Sequence, residues 1–164
     1  MNELTTLHKP TEATSPVSES LQNVLTNTYG LYLATHNYHW NVEGPQFIEL
    51  HKLFEGQYNE LFQAIDVIAE RIRALNVYAL PFEGDEITDI LKTTSNAMNK
   101  ETKADARAIR MVHNLIEMNE SVIESCQAAK KEANGVNDDE TVDLTVQRIT
   151  VHQKALWMLR SIVK

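Results

Sequence analysis

Cysteine occurs once in this 164-residue sequence, as Cys126, so no internal disulfide framework can staple the fold, and a reducing compartment suits the chain. Proline occurs four times and glycine five times, which leaves room for long uninterrupted elements. No apolar run approaches the roughly 18 residues that a membrane span requires. No basic-then-apolar leader opens the chain. A cytoplasmic location without membrane association is therefore expected. No alternating run is long enough for a sheet. Cations are scarce as well: 15 Lys and Arg stand against 23 Asp and Glu, a formal net charge of −8. That balance argues against sequence-independent binding to nucleic-acid phosphates, which needs clustered basic residues, while an acidic surface can attract cations.

What is present is helical periodicity. Residues 1–16 are polar and aperiodic, and a flexible N-terminal tail is expected there, followed by one domain over 17–164. The spacing of Leu21, Val24, Leu25, Leu31 and Ala34 predicts a helix over 17–43, which Gly44-Pro45 ends; Pro45 suits the first turn of the next helix. That second helix, over 45–76, carries Phe47, Leu50, Phe54, Leu61, Ile65, Ile68, Ile72 and Leu75. A long connection over 77–102 is relieved by a short amphipathic helix at 86–92, with Ile87, Ile90 and Leu91. A third long helix, over 103–133, uses Ile109, Val112, Leu115, Ile116, Val122, Ile123 and Cys126, and Asn134-Gly135 stops it. The fourth, over 138–163, uses Val142, Val146, Ile149, Leu156, Leu159 and Val163, with Asp138, Asp139 and Glu140 at the positive end of its dipole. Short first and last turns with a long middle crossover describe an all-α, ferritin-like four-helix bundle with a short extra helix in the crossover.

The second predicted helix has another stripe that is not core: His51, Glu55, Tyr58, Phe62, Asp66 and Glu70. His51/Glu55 and Asp66/Glu70 are i,i+4 pairs, and Asp66 lies only about 60° round the helix from His51. Their rise of about 22 Å forbids a shared ion, because metal–ligand bonds are about 2.0–2.2 Å. Two copies of the helix crossing antiparallel near residues 60–61 would bring His51 and Glu55 of one chain to Asp66 and Glu70 of the other. A two-fold contact would make two such sites. His39, near the end of the preceding helix, could approach His51 across the turn. A mixed nitrogen and carboxylate set suits Fe(II), Mn(II) or Zn(II). Either pair alone would read as a solvated surface pair; both in phase, with a third His across the turn, are less easily accidental.

The segment His39-Trp40-Asn41-Val42-Glu43-Gly44-Pro45-Gln46-Phe47, followed by His51, Glu55, Asp66 and Ala69-Glu70-Arg71, closely resembles the signature of the Dps family of miniferritins. Asp139-Glu140-Thr141-Val142-Asp143 and Leu156-Trp157 are similar to that family's last helix, so the resemblance covers about 20–163. It implies a ferroxidase whose inter-subunit di-iron site uses His39, His51, Asp66 and Glu70. Glu55 stands where the family often has Asp and is a further metal-ligand candidate. The resemblance also implies a dodecameric shell with these sites at two-fold interfaces. There Fe(II) would be oxidised, preferably by hydrogen peroxide with oxygen as the other oxidant, and stored as ferric mineral against oxidative stress. Trp40 matches a Trp beside the family's site, or else packs a helix end. Asp139 and Asp143 match pore-lining positions, or else serve the helix dipole. Other ferritins use Glu-x-x-His motifs, and no Glu here has a His three positions later.

Many family members bind DNA through basic tails. Residues 1–20 here carry Lys9 against Glu3, Glu12 and Glu19, so DNA binding is expected to be weak or absent. The competing readings are a DNA-binding nucleoid protein with secondary ferroxidase activity and a helical adaptor whose stripe is only an interface. Of the other histidines, His8 belongs to the tail, His36 to packing or the surface (with a place behind the metal ligands as the alternative), and His113 and His152 to structure. Cys126 reads as core.

Overall fold

Ser15 starts the first helix. Its hydroxyl accepts the Ser18 backbone N–H at 3.2 Å while the Ser18 hydroxyl accepts the Ser15 N–H at 2.8 Å, and Pro16 follows in the first turn. In the computed structural model, which describes residues 14–80 and 86–164, five helices follow: α1 (Pro16–Asn41), α2 (Phe47–Ala74), α3 (Glu86–Asn99), α4 (Ala104–Gly135) and α5 (Asp139–Ile162). No strand occurs among the described residues. Of the expected tail, 1–13 lie outside the described residues, as do Pro81 and Gly84, while Pro16 belongs to α1. Pro45 precedes α2 rather than opening it, in the turn that leads to the cap residue Gln46. The α4 stop also differs from expectation. Gly135 is still helical, and the left-handed residue is Asn137 at φ 59°, a conformation Asn tolerates better than most side chains.

The packing is that of the expected all-α bundle. α1 and α2 form one antiparallel hairpin and α4 and α5 another, with α1 lying against α4 and α3 bridging the long crossover onto both. α3 is twice the predicted length because its last turns bury Thr94 and Ala97 rather than large apolar residues. It comes close to α1 at Gly30, where an added Cβ would lie 2.7 Å from Ile90 Cδ1. Leu21, Leu25 and Leu31 of α1, Phe54, Ile68 and Ile72 of α2, and Met111, Leu115 and Val122 of α4 are essentially inaccessible. Cys126 is likewise buried, and burial pushes its thiol up to about 11, so it is core and not a nucleophile.

α5 departs from its predicted pattern. Val146 is exposed and Val142, Ile149 and Val163 are only half-buried, while Thr141, Thr145, Arg148 and His152 face inward. Polar groups survive there because they are paired. Asn119 donates to the Leu115 carbonyl at 2.7 Å and accepts from His152 Nδ1 at 2.8 Å; Arg148 Nη2 donates to His152 Nε2 at 3.1 Å and to Glu60 Oε2 at 3.0 Å. This chain ties α4 and α5 to α2. At the other end of the α2–α5 seam, Arg71 Nη2 reaches Asp138 Oδ1 at 2.6 Å, and Asp138 caps α5 by accepting the Thr141 N–H at 3.0 Å. Burial alone would raise the Asp138 carboxyl, but Arg71 and both Thr141 donors outweigh it and hold the group below the usual carboxylate value.

His152 gives the fold a pH dependence. Burial first, and then the Arg148 charge, push its imidazole down to about 3. The unfolded chain takes up this proton near pH 6.5, so between about 6.5 and 3 the unfolded state binds more protons than the native one. Stability is expected to fall with pH through that window, by at most about 1.4 kcal/mol per unit, and to be fully present above it. Denaturant titrations at pH 7, 6 and 5 should show a slope shallower by about one proton in His152→Gln than in the wild type.

Candidate metal centre

The site begins with the α1–α2 turn. Val42 is extended and buried, and its N–H reaches the Tyr38 carbonyl at 2.9 Å, closing α1. Gly44 has φ +108°, where any other side chain would be strained, and its neighbour Glu43 pairs with Arg107 of α4 at 2.6 Å. Tyr38, fully buried, donates its hydroxyl to Asn114 Oδ1 at 2.6 Å and fixes α1 against α4. The turn is thus held at both shoulders, which sets the register of the two helices.

In that register His39 and His51 meet. Their rings stack with centroids 3.8 Å apart and planes 21° from parallel. His39 Nδ1 lies 2.9 Å from the His51 carbonyl oxygen, and His51 Nδ1 lies 2.9 Å from the His39 carbonyl oxygen. A carbonyl only accepts, so both Nδ1 atoms carry the proton. That leaves Nε2 of each ring as the nitrogen whose lone pair can take a metal, the orientation that a hydrogen bond behind the ring imposes on metal-binding imidazoles. His39 is buried, at 8 % exposure, and His51 is half-buried, so the pair lies at the margin of the bundle with His51 the more open of the two.

The carboxylates are elsewhere on the chain's surface. Glu55, Asp66 and Glu70 are exposed along α2. Among the described residues no three His, Cys, Asp or Glu side chains form a group able to hold a metal within one chain. One chain therefore brings together His39 and His51 and leaves Glu55, Asp66 and Glu70 apart from them. Exposed Ile48 and Phe62 share the face of α2 that carries these carboxylates.

An aromatic cluster backs the histidine pair. His36 is half-buried, with its ring centroid 4.2 Å from Trp40 and 4.2 Å from Tyr58, onto which it stacks at 27°. Tyr58 meets His39 edge-on at 5.1 Å. Burial, and then proximity to His39, lower the basicity of His36. The expected packing role of His36 holds in this contact with Trp40 and Tyr58, and its i,i+3 and i,i+4 spacing to His39 and Trp40 is the sequence signal for this place. Trp40, in the last turn of α1, packs on His36 and is otherwise 63 % exposed in the single chain. Asp139 and Asp143 are exposed on the first turns of α5, where Gln147 donates to Asp143 at 2.6 Å.

A bundle of this topology with two tautomer-fixed histidines at its first hairpin is of the ferritin class, and the ferritin-like domain model matches residues 18–164. The chain belongs to the Dps family. It is 30 % identical over 145 residues to DNA protection during starvation protein 2 of Bacillus anthracis, covering 88 % of this chain and 94 % of that one. Dps from Thermosynechococcus elongatus superposes with a TM-score of 0.73 at 29 % identity, covering 90 % of both chains. The Vibrio cholerae Dps protein, described as a member of a broad superfamily of ferritin-like diiron-carboxylate proteins, gives 0.71 at 28 % identity over 90 % of this chain and 89 % of its own.

Proposed function

We propose that this protein oxidises Fe(II) at a site shared between two chains and stores the ferric product inside a hollow, dodecameric assembly. The carrying observation is the reciprocal pair of Nδ1–carbonyl bonds between stacked rings, which leaves the Nε2 atoms of both histidines as the nitrogens able to take a metal. A two-fold crossing of α2 would set Asp66 and Glu70 of a second copy opposite His39 and His51, with Glu55 beside them. The exposed apolar residues Ile48 and Phe62 on that face support such a contact, since copies of α2 would cover them. Iron is the substrate. Two Fe(II) ions lose one electron each, the O–O bond of hydrogen peroxide breaks and takes both electrons, and two hydroxides result. Carboxylates supply hard oxygen ligands suited to the ferric product, and the imidazoles retain the ferrous substrate. Trp40 sits beside this chemistry, and Asp139 and Asp143 line an acidic entry for Fe(II) at the assembly's pores. Removing ferrous iron and peroxide together protects a cytoplasm under oxidative stress; among the described residues no helix is long and apolar enough to cross a membrane.

The test is stopped-flow oxidation of Fe(II) by hydrogen peroxide without oxygen, comparing wild type with His51→Ala/Asp66→Ala. Loss of at least roughly 100-fold in rate with assembly intact is expected. Equal rates would leave an assembly protein whose stripe is only an interface.

DNA binding is not part of this reading. The chain carries a formal charge of −8, and repeated acidic copies multiply repulsion from phosphates. A gel shift is expected to show no retention of duplex DNA at moderate salt; tight binding there would restore the nucleoid alternative.

A further inference from the structure

Between the Glu60–Arg148 clamp and the open end of the α2–α5 seam, the two helices part and leave a groove of about 280 Å³. Leu53 and Leu61 from α2 face Val151, Ala155 and Met158 from α5, so the walls are hydrocarbon. At Gly56 the α2 backbone is bare, and an added Cβ would meet nothing within 4 Å. The floor is formed by Asn119 and His152, whose polar atoms are already spent on each other, on Arg148 and on the Leu115 carbonyl. Glu60 at the rim is engaged by two nitrogens of Arg148.

Three groups of this groove lack a counterpart, and all three are donors. The Gln57 side-chain nitrogen is buried without an acceptor. Lys52 and Lys154, on opposite walls, make no ion pair among the described residues, although the chain as a whole is acidic. What the groove lacks is therefore acceptor oxygen bearing negative charge, next to a space that favours hydrocarbon. A purely polar anion would leave the apolar walls wetted, and a neutral hydrocarbon would leave the donors unmet.

We propose that the α2–α5 groove binds a small amphipathic carboxylate, with its apolar body between Leu53, Val151 and Met158 and its head at Lys52 and Lys154. The site shares no residue with the histidine pair and does not rest on the iron reading.

Calorimetric titration of the assembled protein with octanoate at pH 7 and low salt tests it, with 1-octanol and inorganic phosphate as the neutral and purely polar comparisons. One saturable octanoate per chain is expected, with either comparison compound weaker by about tenfold or more. Lys154→Gln should weaken octanoate by about tenfold, and Gly56→Leu, which fills the open space on α2, should abolish binding. Absence of saturable octanoate binding overturns the proposal. So does wild-type affinity in Gly56→Leu, or a neutral alcohol that binds as tightly as the carboxylate. Because Lys154→Gln alters only an exposed side chain, its effect is readable even if the glycine variant fails to fold.

Discussion

Assemblies formed from an equal mixture of His51→Ala and Asp66→Ala chains are expected to recover roughly a quarter of wild-type Fe(II) oxidation, while either variant alone shows almost none. The reason is the geometry of a shared site. A two-fold pair of one variant with the other contains one site that has lost both contributions and one that has kept both. Random pairing places half the chains in mixed pairs, and half of their sites are whole. A site contained within one chain would gain nothing from mixing, because every chain would remain defective. The experiment needs co-refolding or co-expression, an iron-oxidation rate and a mass-spectrometric measure of the mixture. Zero recovery in verified mixed pairs would place the carboxylates outside the histidine site.

The second large effect concerns stability. Glu60→Ala is expected to destabilise the fold by about 3 kcal/mol, because it strands the Arg148 guanidinium, whose side chain is 8 % exposed, without its carboxylate. Arg148 Nε already lacks a partner among buried atoms, so no spare acceptor is in place to take over. Removing both charges, as in Glu60→Leu/Arg148→Met, is expected to be close to neutral, since no charge then remains to be desolvated. Guanidinium unfolding at a fixed protomer concentration checks both, because assembly otherwise makes apparent stability concentration-dependent. A double variant as unstable as Glu60→Ala would show that packing, rather than the stranded charge, carries the cost.

The same network explains which parts of the fold were legible in the sequence. α1 and α2 bury Leu, Ile, Val and Phe at helical spacing, so periodicity found them. α5 turns Thr141, Thr145, Arg148 and His152 inward, and each is tolerable only through a partner that lies on another turn or another helix. Hydrophobic period cannot register such a face, which is why the predicted stripe included exposed Val146. The last turns of α3 escape periodicity for a similar reason, since the residues they bury, Thr94 and Ala97, are small or polar and sit among polar neighbours. At the site, counting residues across the Gly44 turn was enough to bring His39 toward His51. The position of His36 was not so clear, because its stacking on Tyr58 depends on the distance between two helices rather than on spacing within one.

The two crossed imidazole–carbonyl bonds also constrain how this chain can change over time. Each histidine is both a ligand candidate and a side-chain donor to a main-chain oxygen on the opposite helix. Exchanging one of them for Asp or Glu would keep a metal-binding group but put a carboxylate where a donor had been, facing a carbonyl oxygen that can only accept. A neutral path from one ligand type to another would need both positions to alter together. Lineages that drift at the surrounding carboxylates would therefore be expected to keep His39 and His51 as a unit, or to lose both.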